Sequence, residues 1–138
     1  MIDPLEAAIK FLLARSSLTA LVSTRIAARH RYGVSWAAEA NSLVVRLDDD
    51  LPIYDYPVRE SRLELRIRAN DLDKAMDIWL GLLEISRSAE RVAVVTSKGN
   101  ALVYSFLPDS SLSTPLDVEL QMPMVMGFWR IRVAENAV

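Results

Sequence analysis

The sequence predicts an α+β domain: a mainly antiparallel mixed β-sheet with two α-helices packed on one face. Three observations predict it. Residues 61–69 (SRLELRIRA) alternate strictly, with Leu63, Leu65, Ile67 and Ala69 against Arg62, Glu64, Arg66 and Arg68, the period of a half-buried strand. An amphipathic helix follows at once, with Leu72, Ala75, Met76, Trp79, Leu82 and Leu83 spaced by threes and fours behind a capping Asn70. Hairpin-type connections dominate the rest of the chain, which favours antiparallel pairing over the long crossovers of a parallel sheet.

The elements follow in order. Asp3 can cap a first helix, Pro4 suits its first position, and Glu6 stands three residues after the cap, as in a capping box. Leu5, Ala8, Ile9, Leu12 and Leu13 form its apolar stripe, with Glu6 and Lys10 paired on the opposite side. Ser16 or Ser17 caps a further short helical turn, SLTALV. Residues 27–41 read as a strand leading into a long loop that carries Arg29, His30, Arg31 and Trp36. Ser42–Leu47 is a strand, and Asp48–Pro57 is turn-rich, with Pro52 and Pro57.

After the main helix, Val92–Thr96, a Lys98-Gly99-Asn100 turn and Leu102–Leu107 read as a hairpin. Pro108–Pro115 is a surface loop. Leu116–Gln121 alternates again, Pro123 interrupts the pairing, and Phe128–Val133 resumes it with Trp129, Ile131 and Val133 opposite Arg130 and Arg132. A proline there favours an edge strand or a bulge.

At 138 residues the chain fits a single domain, 1–138, able to bury about two thirds of its unfolded surface. A hydrophobic fraction of 51% leaves more apolar side chains than a small monomer readily hides, which leans towards an oligomer. A net charge of −2 argues against general nucleic-acid binding. With no cysteine, disulfides and thiolate metal sites are excluded. The acidic Asp3 and Glu6 argue against a signal peptide, and the apolar run near Ile78–Ile85 is far below the roughly 20 residues of a membrane span. A soluble protein is expected.

Chemistry is sparse. Asp48, Asp49 and Asp50, with Asp55 nearby, lack the alternating ligands and glycine of a calcium loop, so they read as a solvated acidic turn or as an electrostatic docking element. The single histidine, His30, is flanked by arginines and cannot build a histidine-based metal site. No nucleophile elbow, P-loop or dinucleotide fingerprint occurs. Glu60 and Glu64 alternate with arginines, a pattern that neutralises both signs. No cofactor, no metal and no enzymatic activity are expected.

The arginines invite a second reading. Arg59, Arg62, Arg66 and Arg68, with Arg130 and Arg132, are strung along polar sheet faces, and only three of the 16 basic residues are lysines. A solvated face and a protein interface both fit, since arginine is enriched and lysine depleted at interfaces. Trp36, Tyr54 and Tyr56, on loops, suit contacts between chains.

The first amphipathic helix, the SSLTALVSTRI segment with its Arg25-Ile26 pair, the alternating strand running into its helix, and the closing strand FWRIRVA resemble the tail terminator (tail-completion) proteins of long-tailed phages. The resemblance covers most of the chain and rests on hydrophobic patterns. It implies a structural protein of the virion, assembled in the host cytoplasm as a ring-forming homo-oligomer, a hexamer. Such a ring would sit at the head-proximal end of the tail, stop polymerisation of the major tail tube protein and present a surface to the head connector or stopper. It implies no membrane and no sequence-specific nucleic acid as partner. A closed ring needs two different, mutually matching patches, and Asp48, Asp49 and Asp50 with Arg62, Arg66, Arg68, Arg130, Arg132 and Trp36 are the candidate interface residues. Another head–tail connector or stopper is the alternative, with a small enzyme using Asp48, Asp55 and His30 behind it.

Overall fold

A computed structural model describes residues 2–28, 41–53, 58–110, 112–114, 116–117 and 122–135. Its order is α1 (Pro4–Leu13), α2 (Ser16–Val22), β1 (Ile26–Ala28), β2 (Ser42–Ile53), β3 (Val58–Arg68), α3 (Leu72–Ser88), β4 (Val92–Thr96), β5 (Gly99–Pro108), β6 (Leu116–Asp117) and β7 (Met122–Glu135). One mixed sheet runs β1-β2-β3-β7-β5-β4, with β6 added to the start of β7. Among the described residues only the β1–β2 pair is parallel. The α+β class therefore holds, with three helices among the described residues where two were expected, because the SLTALV segment is a complete short helix.

The alternation of residues 61–69 sets the layers. Leu63, Leu65, Ile67 and Ala69 are buried, and the register places Leu43, Val45 and Leu47 beside them on β2 and Val125, Gly127 and Trp129 on β7. On this face α1 and α3 seat their apolar stripes. Phe11 of α1 meets Phe106 of β5 at 5.6 Å between ring centroids, Phe106 stacks on Trp129 of β7 at 4.6 Å, and Trp129 meets the edge of Trp79 of α3 at 5.4 Å. This aromatic chain joins both long helices to the centre of the sheet. Gly127 makes room for α3: a Cβ there would lie 2.6 Å from the Trp79 ring.

Several local expectations are corrected. The cap of α3 is Asp71, whose carboxylate accepts from Lys74 N at 2.8 Å, and not Asn70. Leu72 is exposed, while Ile78 and Ile85 join Ala75, Trp79 and Leu82 in the core. Asp3 caps α1 by accepting from Leu5 N, but Glu6 closes no capping box. It accepts instead from Ser97 N (2.6 Å) and Ser97 Oγ (2.7 Å), tying α1 to the β4–β5 turn and holding its own carboxyl below the ordinary range. Helix α2 begins behind Arg15, with no side-chain cap.

The hairpin turn is Ser97-Lys98, with Thr96 paired to Gly99, whose φ of +122° suits glycine. Strand β2 does not stop at Leu47 but continues through the acidic run to Ile53. Beyond Val45 it has a neighbour on one side only among the described residues, so Pro52 is tolerated there. Strand β7 is central despite Pro123, because its pairing with β3 starts only at Met124. Replacing Asp71 by alanine removes the cap of α3 and is expected to cost about 1 kcal/mol in a denaturant titration, with an unchanged m-value.

Candidate functional site

The face of the sheet away from the helices carries the charge. Along β3 the residues alternating with the core are Glu60, Arg62, Glu64, Arg66 and Arg68, and the antiparallel register sets Arg132, Arg130, Phe128, Met126 and Met124 opposite them on β7. On the other side Arg46 lies opposite Glu64. A register shift between Leu47 and Asp49 leaves Asp48 as the extra residue and brings Asp49 opposite Arg62. Alternation already puts Asp48 on the face of Arg46, and the shift brings Asp49 opposite Arg62 as well.

The centre of the face is Glu64. Its residue is 3% exposed, and its carboxylate accepts from Arg46 Nη2 at 2.7 Å and from Arg66 Nε. Burial pushes the Glu64 carboxyl up, yet the hydrogen bonds and charges of Arg46 and Arg66 outweigh it and hold the group below its usual value. The same contact raises the Arg46 guanidinium. Arg62 spans two acids, with Nη1 3.5 Å from Asp48 and Nε 3.0 Å from Asp109, the latter as an ion pair without hydrogen-bond alignment. Its guanidinium also lies 4.1 Å from the centre of the Phe128 ring.

Arg130 Nε donates to Asp109 Oδ1 at 3.0 Å, and Glu60 lies within 3.9 Å of Arg130 and 3.7 Å of Arg132. Asp109 N in turn donates to Phe128 O, and Phe128 N donates to Ser110 Oγ, so the segment after β5 is held along β7 by the residues that hold the charges.

Among the described residues, five arginines thus share four carboxylates in this network. Of the predicted interface residues, the fold brings Arg62, Arg66, Arg130, Arg132 and Asp48 together. Asp49 stands beside them in register, Arg68 is half-buried at the end of β3, and Asp50 lies in β2 opposite Ser61. Trp36, His30, Tyr54, Asp55 and Tyr56 lie outside the described residues. Arg59 belongs elsewhere, donating from Nη1 to Ile2 O at 2.9 Å and so tying down the N-terminus. The expected acidic loop is a strand segment whose Asp48 pairs with arginines of its own chain. Sequence reading missed Arg46 and Asp109 as members of this face. Arg46 could have been found from the alternation of residues 42–47, whereas nothing in the spacing around Asp109 points to β7.

Because the folded carboxyl of Glu64 is depressed, its contribution to stability is complete above the ordinary unfolded value of about 4.3 and is lost as pH falls through the folded value. Glu64→Gln is expected to cost about 1 kcal/mol near neutral pH, since the two arginines it releases still reach water. Urea midpoints between pH 6 and 3 should fall more steeply for the native chain than for the variant.

Among the described residues no group of three His, Cys, Asp or Glu side chains is placed to hold a metal ion, and no helix is long and apolar enough to cross a membrane. A shallow polar groove lies between α2 and the end of α3, lined by Arg15, Ser16, Ser17, Glu84 and Ser88, with Arg15 resting over Phe11.

No protein-family model matches this chain, and no curated protein matches it significantly. Among solved structures, a chain from the virion of a native gene transfer agent particle shares its fold. The TM-score is 0.59 at 18% identity, and the alignment covers 94% of each chain.

Proposed function

We propose that this chain is a structural, non-enzymatic virion protein that caps the head-proximal end of a phage tail tube as a ring of identical subunits, ending tube polymerisation and offering the surface to which the head joins. The observation that carries the reading is the fold shared over nearly the full length of both chains with a component of a gene transfer agent virion. The order of helices and strands that resembles tail terminators supports it further. The charged sheet face fits a structural role, since its carboxylates are paired with arginines and the buried Glu64 is held below its usual value by Arg46 and Arg66.

A head–tail connector or stopper is the second reading, favoured by the same structural likeness, which covers the fold and not the position in the particle. Fractionation separates the two. Tails purified from a head-defective mutant should carry the chain, at their head-proximal end by immunogold labelling, and heads from a tail-defective mutant should lack it. The reverse distribution would establish a connector. Absence from both fractions would remove the chain from the virion.

A further inference from the structure

The large apolar side chains exposed among the described residues fall into two groups on opposite sides of the molecule. Leu72 (44% exposed) and Leu80 (53%) lie on α3, with Leu21 of α2 against Gly81 nearby. Val95 (73%), Tyr104 and Leu107 (51%) lie on β4 and β5, facing away from the helices. Alternation fixes the second group, since Val95 stands between buried Val94 and Thr96, and Leu107 follows buried Phe106 and pairs with Arg130. Isolated exposed leucines need no explanation, but grouped ones mark contact surfaces.

The two groups have rims of opposite charge. On α3, Asp73 and Asp77 precede Leu80 by seven and three residues, spacings that put them on the same exposed arc, and neither forms an ion pair among the described residues. On the sheet, Arg130 and Arg132 border Leu107 and Ser105, and the Arg132 side chain is 54% exposed with its guanidinium 3.7 Å from Glu60. One surface is apolar with an acidic rim, the other apolar with a basic rim.

We propose that these two surfaces bind each other between copies of this chain, the leucine-aspartate flank of α3 on one copy seating against the Val95–Tyr104–Leu107 and arginine surface of the next. Because the patches differ, the joint is heterologous and repeats head to tail, closing into a ring if the rotation per subunit allows. The closure rests on the ring reading above; the joint itself is tested apart from it.

The test mixes two variants altered at exposed positions, Leu80→Arg and Leu107→Asp, with circular dichroism melts to verify that both fold like the parent. Each places a charge opposite one of its own sign. In light scattering after size exclusion, the native chain should form multimers and each variant alone should be monomeric, with self-association weakened at least tenfold. Their equimolar mixture should form a dimer that grows no further, because one copy keeps only the sheet surface and the other only the helix surface. A mixture of Leu80→Arg with Leu72→Arg, both altered on the helix surface, should remain monomeric. Native-sized multimers from either variant alone would overturn the joint while leaving a ring built on other surfaces. A native chain that stays monomeric at millimolar concentration, with no dimer in the mixture, would overturn the joint. If purified tails then also lacked a terminal ring, the capping reading would fall with it.

Discussion

Trp129→Ala is expected to lower stability by about 3–5 kcal/mol, among the largest losses of any single truncation in this chain. Trp129 is fully buried at the centre of the sheet, stacked on Phe106 and touched edge-on by Trp79, so its removal leaves a cavity bordered by β5, β7 and α3. The cavity cannot collapse easily, because its walls belong to elements fixed by long strand pairing. Trp129→Phe separates packing from polarity. The indole N–H has no hydrogen-bond partner among the described residues, a cost that phenylalanine removes, so this variant should lose well under half of what alanine loses. Denaturant midpoints of the three proteins, with equal m-values, check the ranking. A Phe variant as weak as the Ala variant would show that the indole N–H matters to the core.

Gly127→Val should be strongly destabilising by the opposite route. A Cβ at this position would sit 2.6 and 2.8 Å from atoms of the Trp79 ring, inside any tolerable contact. Either the indole rotates, breaking its contact with Trp129, or α3 lifts from the sheet. Overpacking of this kind costs about 1–3 kcal/mol and sometimes more, and the added γ-carbons place valine at the upper end. Trp79→Ala should partly rescue Gly127→Val, although it is destabilising alone, because the clash and the ring disappear together. A double-mutant cycle with no coupling would contradict the close approach of α3.

Much of this arrangement is legible from residue order. The alternation of residues 61–69 and of Phe128–Val133 gives two adjacent strands their buried faces correctly, because period-2 patterning directly reports which side of a sheet meets the core. The failures have particular causes. Pro52 and Pro123 look like strand breakers, but Pro52 lies where β2 has a neighbour on one side only among the described residues, and Pro123 lies just before the β3–β7 pairing begins at Met124. Glu6 looks like a capping-box residue, yet Ser97, far along the chain, offers it two donors. Leu72 fits the apolar stripe of α3 by spacing, but it stands in the first turn, where the helix has only begun to cover the sheet.

The charged face was legible in part. The arginines of β3 and β7 could be named from alternation, but their partners could not, because pairing depends on register and on an extra residue at Asp48. Within the chain, Asp48 of the acidic run pairs with Arg46 and Arg62, a pairing that alternation alone does not reveal. What this face leaves over is a basic, apolar border at β4, β5 and β7, and the acidic flank of α3 is its counterpart.

The most direct test of the capping role is to add the purified chain to polymerising tail tube protein from the same genome and image the products by negative-stain electron microscopy. Tubes should stop growing, each bearing ring-shaped density at a single end. Tubes that lengthen as before, with bare ends at saturating protein, would contradict the capping role.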